Sequence, residues 1–274
     1  MLRKIYYSVS PNLRFLLRKT YYFPIDFYEG ITGKRGKNTP KKGDIFIGSG
    51  DFVKQGKAQI HLLKTYIDLK PSDNVLDIGC GIGRTAVPLT EILDKTSFYE
   101  GFDAVKKGID WCNENIKSKF PNFNFTFTPL RNTLYNKSEA NAATFKFPYE
   151  ENNFDKAFLF SVFTHMKLED IQNYLNEIHR VLKPGGACLA TFFTYTKNDQ
   201  LENFPGFKFP FKRDGYRLLD ENVEEANIAI DMDILEGMIT NSGLKMERKI
   251  DGYWKDLTKD KKDINFQDII ILKK

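Results

Sequence analysis

The sequence lacks the features of a cross-linked or membrane-spanning protein. Its three cysteines, Cys80, Cys112 and Cys188, are too widely spaced for a disulfide framework or a zinc site, so we expect no bound metal. No apolar run reaches the roughly 18–20 residues that cross a bilayer. Arg14 and Arg18 interrupt the apolar cluster near the start, which argues against a signal peptide. There is no internal repeat, which excludes solenoid architectures. We therefore expect a cytoplasmic setting.

Basic residues are concentrated at one end of the chain. Residues 1–50 hold ten basic and three acidic side chains, a net charge of +7, whereas residues 51–274 hold 31 and 33, a net charge of −2. The 274 residues are 41% hydrophobic and 14% aromatic, which excludes disorder of the whole chain. We predict a basic, aromatic N-terminal cap over residues 1–50 and one large domain over residues 51–274.

Short apolar runs alternate with helical patterns over residues 51–193. This alternation predicts an open, mostly parallel α/β sheet covered by helices on both faces. The predicted strands are Asn74–Ile78, Ser97–Phe102, Phe123–Phe127, Phe154–Phe160 and Ala187–Phe193. The predicted helices between them are Arg84–Leu93, Lys106–Ile116 and Leu168–Leu182. The helix Met232–Thr240 and the strands Leu244–Ile250 and Ile264–Leu272 complete the prediction.

Three alternate glycines follow the first predicted strand. The segment Val75–Arg84 reads VLDIGCGIGR, so that Gly79, Gly81 and Gly83 have the spacing G-x-G-x-G. Glycine is needed where the backbone turns sharply and a ligand lies against it without an intervening Cβ. The helix that follows offers free N–H groups. A dinucleotide fingerprint would need its third glycine at position 84, where this chain has arginine.

A carboxylate ends the next predicted strand. Asp103 follows Phe98–Phe102 and is expected beyond the carboxyl edge of the sheet, where open α/β sheets bind their ligands. A carboxylate at that position can accept hydrogen bonds from both hydroxyls of a ribose. The glycine loop and Asp103 together predict a nucleoside-containing cofactor.

These segments resemble the class I S-adenosylmethionine-dependent methyltransferases, of the methyltransferase type 11/25 kind. The resemblance covers roughly residues 51–193 and is carried by Val75–Gly83, Asp103, residues 141–155 and Glu177–Gly186. It implies a Rossmann-like seven-stranded sheet with the last strand antiparallel, an N-terminal helical cap, and S-adenosyl-L-methionine as cofactor. The cofactor-binding residues that it implies are Asp77, Gly79, Cys80, Gly81, Asp103, Asn141, Ala142 and Phe160.

One residue departs from the family pattern. The family usually has Asp where this chain has Asn141, but an amide carbonyl can accept the same hydrogen bond from the adenine amino group. For Cys80, packing of a small side chain in the glycine loop is the favoured role of the thiol. Two other functions stay open from the sequence: a non-catalytic protein that binds the cofactor or a partner, and a nucleotide-dependent oxidoreductase.

His165 is the best candidate for a catalytic base. Methyl transfer from a sulfonium mainly needs an aligned acceptor, and a base is needed only when the acceptor loses a proton. His165 follows the fourth predicted strand in FSVFTHM, and an imidazole suits proton removal from a hydroxyl near neutral pH. A role in shaping the pocket wall or capping the next helix is the alternative. The segment lacks the Asn/Asp-Pro-Pro-Tyr/Phe and Pro-Cys signatures of enzymes that methylate nucleic-acid bases and protein amides. The absence of these signatures weakens nucleic-acid bases and protein amides as acceptors. We expect methylation of a hydroxyl, with an amine or a carboxylate less favoured, on a small or medium-sized metabolite. The aromatic and basic side chains outside the sheet favour a sugar, glycan or lipid-linked acceptor.

Two further segments are candidates for contact with the acceptor. Residues 194–230 interleave aromatic with basic side chains, which predicts a substrate lid or, alternatively, a loop that its aromatics anchor to the sheet. In residues 1–50, Ser10-Pro11 predicts a helix start, and a short helix is expected before it. We expect this segment to cover the cofactor cleft. Binding of an anionic substrate and peripheral membrane contact are less favoured, and no clear nucleic-acid motif is present. Phe52 and Lys57 are expected at the cofactor entrance.

Overall fold

The computed structural model of the chain describes residues 10–48, 50–130, 141–223, 226–261 and 263–274. The short helix expected before Ser10 therefore lies outside the described residues. Seven strands form the main sheet in the order β10-β11-β5-β4-β1-β2-β3. The bounds are β1 Val75–Ile78, β2 Tyr99–Asp103, β3 Phe123–Phe127, β4 Phe154–Leu159, β5 Leu182–Phe192, β10 Lys245–Ile250 and β11 Asp268–Lys273.

The direction of the strands confirms the predicted fold class. Strands β1 to β5 pair in parallel with their neighbours. The last strand, β11, is inserted between β5 and β10 and runs antiparallel to both. All four residues of β1 are buried, because central strands of parallel sheets are covered on both faces. The carboxyl ends of β1, β2 and β4 consequently meet at one edge of the sheet.

Helices cover both faces of this sheet. One face packs against the helices Leu168–Val181 and Met232–Asn241, through Ile171, Leu175 and Leu235 among others. The other face packs against the helices Phe52–Ile67 and Lys106–Cys112, through Leu63 and Ile109 among others. No helix within the described ranges is long and apolar enough to cross a membrane. The bounds are α1 Pro11–Ile31, α2 Phe52–Ile67, α3 Ala86–Leu89, α4 Lys106–Cys112, α5 Leu168–Val181 and α6 Met232–Asn241.

Several element boundaries differ from the sequence prediction; for example, the last strand begins at Asp268 instead of Ile264, and the helix from Lys106 ends at Cys112 instead of Ile116. The helix predicted over Arg84–Leu93 is a single turn, α3, because Glu91 N–H and Ile92 N–H donate to carbonyls three residues back. The strand predicted from Ala187 begins five residues earlier, at Leu182. Residues 183–186 form a bulge in β5, because Leu182 pairs with Phe154 and the next paired residue, Ala187, pairs with Lys156. A φ of +79° at Gly185 permits this bulge.

Residues 194–230 contain a small second sheet that the sequence prediction missed. Its order is β6-β9-β8-β7, and several aromatics of the segment pack on each other and on Trp254 rather than face solvent. The buried Asp268 of β11 ties this region to the main sheet, because it accepts hydrogen bonds from Thr194 N–H at 2.8 Å and Trp254 Nε1 at 3.0 Å. The packing favours the anchoring role for these aromatics. The bounds are β6 Thr194–Tyr195, β7 Phe211–Lys212, β8 Tyr216–Leu218 and β9 Ile228–Asp231.

Candidate functional site

A cavity of about 510 Å³ opens at the carboxyl ends of β1, β2 and β4. The strands supply the rigid part of its wall, and the loops that follow them supply the functional groups. Seven of the eight predicted cofactor residues and the predicted base line this cavity, and Gly81 lies at its edge beneath Ile47. The predicted residues that line it are Asp77, Gly79, Cys80, Asp103, Asn141, Ala142, Phe160 and His165.

The glycine loop has a backbone that other residues would adopt only with strain. Gly79, Gly81 and Gly83 have φ values of +77°, +60° and +76°. A Cβ on Gly79 would lie 2.5 Å from a methyl group of Val162. The loop is also tied to β2, since Gly79 N–H donates to the Phe102 carbonyl at 2.9 Å. The close approach of Val162 explains why glycine is required there even without a ligand.

Asp103 is held in place and keeps acceptor capacity. Gly81 N–H donates to one carboxylate oxygen at 2.8 Å, and Val105 N–H donates to the other at 2.8 Å. Ala104 N–H also forms a hydrogen bond with this carboxylate, and its remaining lone-pair capacity lies at the cavity wall. Burial raises the pKa of Asp103 to about 6, and the backbone hydrogen bonds oppose this rise. The group is therefore mostly ionised near neutral pH and held by the backbone with acceptor capacity left at the cavity wall.

Asp77 is the second carboxylate of the cavity, and it lies deeper. Tyr99 Oη donates to it at 2.7 Å. Burial raises the pKa of Asp77 to about 8, the hydrogen bond from Tyr99 lowers it, and the nearby Asp103 raises it further. A cationic ligand would favour the ionised form of this carboxylate. Burial also raises the pKa of the Cys80 thiol well above its ordinary value, which argues against a nucleophilic role.

Residues 45–48, within the segment expected to cover the cofactor cleft, form a strap over the glycine loop, although the sequence analysis did not single out these four residues. Phe46, Ile47 and Gly48 line the cavity, and Arg84 donates to the Ile47 carbonyl. Burial lowers the pKa of Arg84 to about 10. The available signal was the apolar run Ile45–Ile47 with Gly48 directly after it.

The prediction of Phe52 and Lys57 at the entrance was wrong. Phe52 is buried beneath the strap with Ile45, whereas Lys57 is exposed on the outer side of α2. Gln59, two residues further along the helix, lines the cavity instead, and its side-chain carbonyl accepts from Thr85 Oγ1 at 2.8 Å. The register of α2 therefore directs Gln59, and not Lys57, toward the cavity.

The turn that carries His165 is held from several sides. Ser161 has a φ of +60°, and its N–H donates to Thr191 Oγ1 at 2.8 Å. His165 lies in the 3₁₀ turn that follows, where it is half-buried, and its backbone N–H donates to the Val162 carbonyl at 2.9 Å. These contacts fix the position of an imidazole in the cavity wall.

Two polar side chains further along the wall can meet a planar ligand. The side-chain oxygen Oδ1 of Asn141 caps the turn Ala142–Thr144, because it accepts a hydrogen bond from Ala143 N–H at 2.9 Å. A second lone pair of this oxygen remains for a ligand. The hydroxyl of Thr128, a residue that the sequence reasoning did not identify, is buried and has no hydrogen-bond partner within the described ranges. A buried polar group without a partner is costly, so a ligand that satisfies Thr128 would gain affinity.

The fold and the cavity agree with comparisons to known proteins. A family model for the methyltransferase domain matches residues 76–190, the part of the chain that contains the glycine loop, Asp103 and β5. This match supports the class I S-adenosylmethionine-dependent methyltransferase superfamily for residues 76–190. The cofactor of this domain is S-adenosyl-L-methionine, and the cradle at Gly79, the acceptor atoms of Asp103 and the open hydroxyl of Thr128 fit such a group.

Curated relatives with methyltransferase names share about a quarter of their residues with this chain. The 2-phytyl-1,4-naphtoquinone methyltransferase of Nostoc sp. is 28% identical over 162 residues, which are 58% of this chain and 65% of the relative. The sterol 24-C-methyltransferase of Pneumocystis carinii is 25% identical over 198 residues, 69% of this chain and 45% of the relative. The match therefore spans less than two thirds of either relative.

Solved structures share the fold of this methyltransferase domain. A SAM-dependent methyltransferase from Methanosarcina mazei superposes with a TM-score of 0.51 at 21% sequence identity. The superposition covers 75% of this chain and 94% of that structure. At this level of identity the likeness establishes the architecture alone.

Proposed function

We propose that this protein transfers the methyl group of S-adenosyl-L-methionine to a hydroxyl of a small or medium-sized metabolite. The observation that carries the proposal is the convergence of the glycine loop, Asp77 and Asp103 in one cavity at the sheet edge. In this arrangement the glycine loop lets a ligand lie close to the backbone. Asp77 offers a carboxylate to a cation, and Asp103 offers an acceptor to ribose hydroxyls. When bound, the cofactor supplies a methyl group that a positive sulfur already activates.

Each polar residue of the cavity would bind a different part of the cofactor. Asp103 would accept from both ribose hydroxyls, and Asp77 would face the cationic end of the cofactor. Thr128 and Asn141, which also line the cavity, would form hydrogen bonds to the edge of the adenine ring. The apolar strap residues Phe46 and Ile47 would exclude water from the reacting groups, which strengthens electrostatic interactions inside the site.

His165 is proposed as the group that removes the proton from the acceptor. With the cofactor held by Asp77 and Asp103, the hydroxyl oxygen would form a bond to the methyl carbon while the carbon–sulfur bond would break and leave its electron pair on sulfur. The hydroxyl proton passes to the imidazole of His165. Because its turn is fixed by Thr191 and Val162, this base needs little reorganisation during attack.

The size of the cavity limits what part of the acceptor can enter. A volume of about 510 Å³ corresponds to a pocket for one drug-sized ligand. With the cofactor in place, only the reacting end of an acceptor fits, and the rest must lie at the mouth beside the strap. The relatives act by name on a phytylated naphthoquinone, on phosphoethanolamine and on a sterol. The two lipid acceptors among them, together with the size of the cavity, support a lipid-linked acceptor over a free sugar.

Product analysis with labelled cofactor tests this proposal. The purified chain is incubated with methyl-labelled S-adenosyl-L-methionine and with separate organic-soluble and water-soluble metabolite extracts. Label is expected in the organic-soluble products, in a bond that resists the mild base that cleaves esters. Label confined to the water-soluble products would contradict the lipid-linked acceptor. Transfer no faster than in the absence of extract would contradict the methyltransferase proposal itself.

Replacing His165 separates catalysis from cofactor binding. We expect His165→Ala to lower kcat by about 100-fold, the lower end of the range for general base catalysis, with little change in cofactor affinity. His179→Ala is the matched control, because His179 lies on α5 outside the cavity lining. Steady-state kinetics give kcat for both variants, and titration with S-adenosylhomocysteine gives their cofactor affinity. Wild-type kcat in that variant would leave His165 only a structural role.

A further inference from the structure

Helix α1 turns its apolar face away from the rest of the protein. At 3.6 residues per turn, eight large apolar side chains fall within an arc of about 160°. An apolar surface of this extent on one helix is typical of an interaction site rather than of singly exposed residues. Each of the eight is 45–75% exposed, and they are Leu13, Leu16, Leu17, Tyr21, Phe23, Phe27, Tyr28 and Ile31.

The opposite, polar face attaches the helix to the protein. Asp26 accepts hydrogen bonds from the backbone N–H groups of Lys42 at 2.7 Å and Gly43 at 2.9 Å. Glu29 forms an ion pair with Lys42 at 2.6 Å. A helix that covers a core has the reverse arrangement, with apolar side chains inward and charges outward. The polar contacts of Asp26 and Glu29 therefore leave the apolar face available to a partner.

The charges around this face select the chemistry of that partner. Residues 10–48 hold eight Lys or Arg and three Asp or Glu, a net charge of +5. The acidic residues are engaged within the protein, as the contacts of Asp26 and Glu29 show. Lys34 lies at the end of the apolar face, where its ammonium donates to the Tyr28 hydroxyl at 2.9 Å. Lys37 and Lys41, which follow it along the chain, are also exposed. Cations beside an apolar, aromatic face complement anionic phospholipids.

We infer that α1 docks this protein on an anionic lipid bilayer. The apolar face lies in the boundary between headgroups and acyl chains, and the basic residues that follow the helix meet the lipid phosphates. The helix lies along the surface, as amphipathic interfacial helices do. Membrane contact, less favoured from the sequence, is favoured by the structure because the structure shows which face of α1 is used for internal contacts.

The docked helix is coupled to the cofactor cavity. Phe15, on the inner side of α1, packs edge-on against Phe46 with ring centroids 5.7 Å apart. Phe46 belongs to the strap and lines the cavity. Docking therefore holds the cavity near the bilayer, where a lipid-linked acceptor would be found. This last consequence rests on the proposed function, whereas the docking itself does not.

Flotation of the full chain with lipid vesicles tests the docking. We expect binding to equimolar phosphatidylcholine and phosphatidylglycerol vesicles and weaker binding to phosphatidylcholine alone. Raised salt should weaken binding to the anionic vesicles. The triple variant Leu16→Glu, Phe23→Glu, Phe27→Glu should lower the partition coefficient by about tenfold or more, because it places charges in the apolar boundary. Circular dichroism and S-adenosylhomocysteine affinity should stay at wild-type values, since the three side chains are exposed and outside the cavity.

The matched control carries the same change of charge elsewhere. The variant Val53→Glu, Ile234→Glu, Leu257→Glu alters three residues that are 41–46% exposed and lie outside α1, and it should bind vesicles like the wild type. An equal loss in this control, or equal wild-type binding to both vesicle compositions, would overturn the inference. The inference would also be overturned if the wild type did not bind vesicles and formed a dimer that the α1 variant dissociates. The apolar face would then bind a second copy of this chain. None of these readouts depends on methyl transfer.

Discussion

Asp103→Ala is expected to lower cofactor affinity by more than about 100-fold while the sheet stays folded. Hydrogen bonds to a charged acceptor each contribute roughly 1.5–3 kcal/mol, and Asp103 would accept two from ribose. The same carboxylate orients the glycine loop through Gly81 N–H and α4 through Val105 N–H. Calorimetric titration with S-adenosylhomocysteine measures the affinity, and urea unfolding measures the accompanying change in stability.

Two companion variants make the Asp103 result specific. Asp110→Ala removes a carboxylate of α4 that pairs with Lys106 on the surface, and it should leave the affinity unchanged. Asp103→Asn keeps the shape but loses the charge. Because the pKa of Asp103 is about 6, wild-type affinity should fall as the pH drops through that value and the carboxylate gains a proton. The cofactor affinity of Asp103→Asn should be low and should not change with pH over the same range. Wild-type affinity in Asp103→Ala would show that another carboxylate meets the ribose.

The elements that the sequence could predict are those with local signals. The order of apolar runs and helical patterns was enough to predict an open, mostly parallel sheet, because β1 and its neighbours are short buried strands bounded by turns. The resemblance to class I methyltransferases implied its seven-stranded form with an antiparallel last strand. The three glycines and Asp103 follow strand ends directly, so topology alone brings them to one edge. Their positions depend on no long-range packing that the sequence hides.

The missed elements depend on contacts between distant parts of the chain. The strap over the glycine loop exists because Arg84 binds the Ile47 carbonyl, a contact between residues 37 positions apart. The orientation of α1 is set by Asp26, which caps backbone groups 16 and 17 residues further on. Periodicity revealed an amphipathic helix there but not which face is turned inward. The second sheet consists of strands of two to four residues, too short for any period to be recognised.

Gly79→Ala is expected to destabilise the protein by about 3 kcal/mol and to weaken cofactor binding. A residue with a Cβ at a φ of +77° costs roughly 1–2 kcal/mol from backbone strain. The added Cβ would also lie 2.5 Å from Val162, and a β-branched side chain has little freedom to move aside. Overpacking of this kind costs about 1–3 kcal/mol more. Urea unfolding gives the stability, and titration with S-adenosylhomocysteine gives the affinity.

Gly185 offers a matched control for the strain component of the Gly79 variant. Its φ is +79°, nearly that of Gly79, but a Cβ there would meet no atom within 4 Å. Gly185→Ala should therefore show the cost of the backbone conformation alone and bind the cofactor normally. The double variant Gly79→Ala, Val162→Ala should recover the packing part of the loss, and a thermodynamic cycle with Val162→Ala isolates that coupling. Equal destabilisation by the two glycine variants would mean that Val162 moves aside freely, and the loop would then owe its shape to backbone conformation alone.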